Sequence, residues 1–106
     1  MANAIYPLYK QAILTGGANT NMSSGTVKVA LVDTGTYTYS ATHEFLSSLT
    51  GRVGTDATLG TKTFTNGTFD AANSTYTAVS GATVEALVIY IDTGVAGTSR
   101  LIAYID

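Results

Sequence analysis

Asp-Thr-Gly occurs twice in this chain, at Asp33-Thr34-Gly35 and at Asp92-Thr93-Gly94, and that tripeptide can carry acid–base chemistry. Aspartic proteases place it at the active-site turn and use two such carboxylates that share one proton. The chemistry requires Asp33 and Asp92 within about 3 Å of each other, on turns from two lobes. Each lobe needs its own core, on the order of 100 residues, and the chain has 106 in all. A homodimer built on one turn would leave the other without a role. Both tripeptides are therefore read as strand-ending turns, where Asp bonds to its own turn backbone and Gly accepts positive φ.

His43 is the single histidine. A nucleophilic triad would pair it with Ser40 or Ser47 and with Glu44, but no Gly-x-Ser-x-Gly elbow surrounds any serine. One histidine with scattered carboxylates falls short of a zinc site, and no Asp-rich loop matches a calcium-binding hand. Gly16-Gly17 follows a helical pattern rather than opening one, so it is not a phosphate-binding loop. The sequence thus predicts no catalytic, cofactor-binding or metal-binding residue and no cofactor; the chain is read as a non-enzyme. The tripeptides starting at Asn21, Asn66 and Asn73 fit the glycosylation pattern but are read as turns. The seven tyrosines are expected mainly at core edges and subunit interfaces, where an apolar ring with a polar tip fits.

The elements that would position these residues are mostly strands. Residues 83–92 read T-V-E-A-L-V-I-Y-I-D. Val84, Ala86, Val88 and Tyr90 fall on one face and Leu87, Ile89 and Ile91 on the other, which predicts a central strand covered on both faces. The run is too short to cross a bilayer. Residues 26–33, T-V-K-V-A-L-V-D, form a second such strand, half covered at Lys28, and residues 100–105, R-L-I-A-Y-I, a last one that is integral to the sheet. Asn66-Gly67 between residues 61–65 and 68–72 predicts a two-residue hairpin, because a type I′ turn needs φ > 0 at both central positions. Phe64 then faces Phe69 across it. Residues 73–79 alternate like a further strand, residues 36–40 have strand propensity after a turn, and residues 93–99 read as a loop.

Two helical pieces complete the pattern. Ile5, Leu8, Tyr9, Ala12 and Ile13 recur at helical spacing, Pro7 is tolerated in a first turn and Gly16-Gly17 stops the run, which predicts a helix over 7–14. Thr42 can cap a single helical turn that carries Phe45, Leu46 and Leu49 inward. The expected fold class is mainly β: a small antiparallel β-sandwich or curled sheet, in one domain over 1–106, with a short N-terminal helix and one short internal helical turn.

Composition limits the partners. Hydrophobic residues make up 45% of the chain but charged residues only 11%, where soluble domains average about 25%. Interface cores are depleted in charge, so this composition leans toward a protein that lives in an assembly. A net charge of -2 with five Lys and Arg offers no footprint for nucleic acid or an anionic membrane, and neither is expected as a partner. Without cysteine stability has to come from packing. The opening M-A-N-A-I-Y-P-L-Y-K lacks a basic n-region and breaks any apolar run with Pro7 and Lys10, which predicts synthesis without a Sec signal.

The opening A-N-A-I-Y-P-L-Y-K, the block V-K-V-A-L-V-D-T-G-T-Y-T-Y-S-A-T-H-E-F-L, the middle T-N-G-T-F-D-A and the run from A-V-S-G-A-T-V-E-A-L to R-L-I-A-Y-I-D resemble a family of small proteins encoded among the virion genes of tailed bacteriophages. The resemblance spans almost the whole chain and assigns no role to any single residue. It implies a virion structural protein of the capsid cement or decoration type, made in the host cytoplasm and placed on the capsid surface. Its partners would be the major capsid protein and copies of itself in a homo-oligomer. A tail or head-to-tail connector component and a carbohydrate-binding module using tyrosines of residues 36–40 are the alternatives.

Overall fold

A computed structural model describes residues 3–76 and 79–106. Among them the chain forms strands β1 (Ala4–Ile5), β2 (Thr26–Val32), β3 (Arg52–Thr58), β4 (Thr63–Thr65), β5 (Thr68–Asp70), β6 (Ala86–Asp92) and β7 (Leu101–Ile105). A helix, α1 (Pro7–Leu14), and a 3₁₀ turn at Leu46–Ser48 complete the elements. Five strands make one antiparallel sheet in the order β1-β7-β6-β2-β3, and β4 and β5 form a separate two-stranded ribbon. The mainly β, antiparallel architecture is the one that the alternating pattern predicts.

β6 lies at the centre of the sheet. Val88 stands between Ala30 of β2 and Tyr104 of β7, so Ala86, Val88 and Tyr90 share a face with Val32, Ala30 and Lys28. That face is closed: Ala86, Val88 and Tyr90 are all buried. On the other face Ile91 is buried, but Leu87 and Ile89 are only half-buried, so the expected cover on both faces is complete on one and partial on the other. The strand also starts three residues later than expected. Its pairing begins at Ala86 opposite Val32, because β2 ends there and Asp33 leaves into its turn; Thr83 and Val84 have no strand to pair with.

β3 and β1 are absent from the sequence pattern. The β3 run R-V-G-T-D-A-T breaks alternation with Gly54 and Asp56, and its register against β2 shifts between Val29 and Leu31, which is a bulge that lets the extra residues leave the ladder. Gly54 sits in that bulge at φ +70, where a side chain would be strained. The two-residue β1 pairs Ala4 with Tyr104 and Ile5 with Ala103, and the Tyr6 amide donates to Ile102 O at 2.9 Å.

The helix occupies the predicted range, with Pro7 in its first turn. Tyr9 and Ala12 are buried, while Ile13 and Leu14 are exposed, Leu14 at 85%, so the apolar stripe docks only in part. The internal helical turn lies at Leu46–Ser48 after Phe45, not on a Thr42 cap. Its first N–H groups are satisfied from far along the chain: Leu46 N donates to Ser99 O at 2.7 Å and Ser47 N to Ala96 O at 3.2 Å. Thr42 bonds the Ser40 hydroxyl instead, at 2.8 Å. Leu46 and Leu49 do point into the core.

The hairpin forms as the Asn-Gly pair predicts. Asn66 and Gly67 have φ of 51° and 77°, Phe64 pairs with Phe69, and their rings lie 5.3 Å apart. The strand expected over 73–79 does not form. Residues 73–76 and Val79 are irregular, and residues 77 and 78 lie outside the described residues. Tyr76 still anchors this stretch, its hydroxyl donating to Val29 O at 2.7 Å.

Candidate contact surface

The two Asp-Thr-Gly turns stand at opposite ends of one strand pair. Asp92 is in register with Thr26 at the start of β2, whereas Asp33 follows Val32 at its end. Seven residues of strand at about 3.3 Å each separate them by roughly 23 Å. No shared proton is possible across that span within the chain. Each carboxylate closes its own turn: Asp33 Oδ1 accepts from Gly35 N at 2.9 Å and Asp92 Oδ1 from Gly94 N at 3.0 Å. These backbone bonds hold both carboxyls below the ordinary carboxylate range, with Lys28 adding to the effect at Asp92.

The sequence-level triad does not assemble among the described residues. His43 Nδ1 meets the Tyr37 hydroxyl at 2.7 Å, Ser40 bonds Thr42, and Glu44 Oε2 accepts from Arg100 Nη1 at 2.9 Å. The Tyr37 hydroxyl also meets the Tyr6 hydroxyl at 2.8 Å. This is a relay of three groups beneath the closed sheet face. Tyr6 is fully buried and Tyr37 is 2% exposed, so of the two tyrosines considered for a sugar platform Tyr37 is not presented and Tyr39 is half-buried. Tyr37 is core, and Tyr39 packs against Tyr6 and Tyr104 at ring distances of 5.1 Å and 5.4 Å. Tyr37→Phe strands the Tyr6 hydroxyl without its partner in a buried site, at a cost of about 1–3 kcal/mol. A lowered midpoint in urea at unchanged slope checks this; an unchanged midpoint contradicts it.

Asn21 Oδ1 accepts from Ser23 N at 2.9 Å, which makes the turn read for that tripeptide. Among the described residues no group of three or more His, Asp or Glu stands together, and no helix is long and apolar enough to cross a membrane.

Half of the charged residues pair within the fold. Lys28 pairs with Asp92 at 3.0 Å, Arg52 with Asp56 at 2.8 Å and Arg100 with Glu44. The Tyr90 hydroxyl donates to the same Asp56 carboxylate. Lys62 Nζ donates to the carbonyls of Met22 and Gly25 at 2.6 and 2.5 Å. Of the five Lys and Arg residues, four bond to groups of the same domain, Arg52 from an exposed position, and Lys10 is exposed. What faces outward is chiefly Thr, Ser, Asn and Gly, with apolar side chains among them: Ile5 is 47% exposed, Phe64 46%, and Val95 is also open.

The partly open sheet face carries a groove of about 450 Å³. Tyr9, Met22, Phe69, Ile89, Ala103 and Ile105 line it, and no charged residue does. Ile5, also among its lining residues, carries the edge strand. Ile89 and Ile105 were legible as strand residues; Met22, in a polar connection, was not. No periodicity marks a single methionine between Asn21 and Ser23, and its role follows only from the fold. Such an apolar, uncharged concave surface is suited to apolar contact. No family model, curated protein or solved structure matches the chain.

Proposed function

We propose that this chain is a non-enzymatic structural subunit of a tailed-phage virion, a capsid cement or decoration protein that bridges neighbouring capsomers of the major capsid protein. The observation that carries the reading is the surface: charged residues are only 11% of the chain, half of them stand in ion pairs within the domain, and Ile5, Leu14, Phe64 and Val95 are exposed. Interfaces are depleted in charge at their cores, so such a surface suits repeated protein contact. The sequence resemblance to small virion proteins supports the same reading from a separate direction. A cement subunit needs a rigid small fold, and repetition over a shell multiplies modest contacts through avidity.

The test is reconstitution. Purified protein added to heads assembled without it is expected to bind to saturation and to raise the temperature at which the heads release their DNA. Absence of binding to heads, with binding to isolated tails, would replace the cement reading by a tail or connector role.

A further inference from the structure

We infer that the β4–β5 ribbon is a hinged strap across the apolar groove and that Lys62 is its latch. The strands of the ribbon pair with each other and with no strand of the main sheet. Along β4 and β5 every residue is exposed except Phe69, whose ring is one wall of the groove. The base of the strap is narrow: Ala72 N donates to Gly60 O at 2.9 Å, so both strands leave the domain together. Gly60 has open space around it, and Thr61 beside it adopts φ 51°, a conformation uncommon for non-glycine residues.

Lys62 follows directly and ties this foot of the ribbon to the domain. Its ammonium reaches from the foot of β4 to the carbonyls of Met22 and Gly25, on the loop that supplies the groove with Met22. The latch therefore joins two groove-lining segments, the ribbon through Phe69 and the loop through Met22. Beside this tether, Phe69 is the one half-buried side chain of the two strands. Charge-assisted bonds to carbonyl oxygens are stronger than neutral ones, so removing the ammonium shifts the strap toward an open position. Opening uncovers Ile89, Ala103 and Ile105 while the five-stranded sheet stays intact. The inference concerns the motion of the domain alone and stands whether or not the chain belongs to a virion.

Lys62→Met keeps the length and apolar stem of the side chain and removes the donor; Lys62→Arg keeps a cation that can reach the same carbonyls. Amide hydrogen exchange on the free protein is expected to speed up about tenfold or more over β4 and β5 in Lys62→Met, the scale of losing bonds to a charged group. Amides of β2 and β6 are expected to keep their wild-type rates, and Lys62→Arg to stay close to wild type. Anilinonaphthalene sulfonate should fluoresce more strongly with Lys62→Met and shift the methyl resonances of Ile89 and Ile105. Equal acceleration in the ribbon and in β6 would reduce Lys62 to a contributor to global stability and overturn the latch. Unchanged ribbon exchange, or dye-induced shifts away from the groove, would overturn it as well.

Discussion

A chain lacking residues 102–106 does not fold. β7 is the second strand of the sheet, between β1 and β6, and its removal takes away Ile102, Ala103 and Tyr104, all buried. Burying large apolar side chains contributes about 1.5–3 kcal/mol each, and the neighbours lose their cover at the same time. Val88 loses one of its two strand partners, β1 loses the strand it pairs with, and Tyr39 loses a ring contact. The summed loss is of the same size as the whole stability of a small domain, about 5–15 kcal/mol. The measurement is near-ultraviolet circular dichroism and a thermal melt of the truncated chain. A soluble truncation that melts cooperatively would contradict the role given to β7.

The second large effect is at high pH. Six tyrosines, Tyr6, Tyr9, Tyr37, Tyr76, Tyr90 and Tyr104, have hydroxyls pushed above the ordinary phenol range, in every case chiefly because burial disfavours the phenolate. At Tyr6 the bond with Tyr37, and at Tyr90 the bond to Asp56, push in the same direction. The sign follows from linkage. A group with a raised folded-state value favours the folded state fully below its unfolded value, near 10 for tyrosine, and that contribution is lost as pH rises further. Several such groups in one core add their losses. The expected result is cooperative alkaline unfolding beginning above about pH 10, with tyrosinate absorbance appearing in step with loss of near-ultraviolet dichroism. Tyrosines that ionise near pH 10 while the dichroism persists would contradict the packing described for them.

The sequence made the core strands readable for a simple reason. In β2 and β6 most residues are apolar and many are β-branched, so the local pattern and the burial agree. Asn66-Gly67 was equally legible, since few dipeptides accept two positive φ values, and Pro7 with Gly16 bounded the helix. The misreadings have one cause, which is that pairing partners override local pattern. β3 contains Gly54 and Asp56 and exists because β2 presents an open edge to it; residues 73–76 alternate well and stay irregular, held beside β3 by the Tyr76 hydroxyl rather than by ladder bonds. The turn at Leu46 is capped by carbonyls of Ala96 and Ser99 rather than by the nearby Thr42. Of the contact surface, the shortage of charge could be counted from the sequence, but its internal pairing and the meeting of Met22, Phe69 and Ile89 could not, because those residues come from three separate stretches of chain. The Asp-Thr-Gly repeat shows the converse: a motif eye-catching in one dimension places Asp33 and Asp92 at opposite ends of a strand in three.

The central claim is that this domain is a repeated component of a phage head, and it is tested most directly by its copy number and radial position in purified particles, from quantitative gel analysis together with imaging of intact virions. Many copies distributed over the outer shell, in fixed ratio to the major capsid protein, are the predicted result. A handful of copies confined to the tail or the head-to-tail junction, or no copies in the particle, would contradict it.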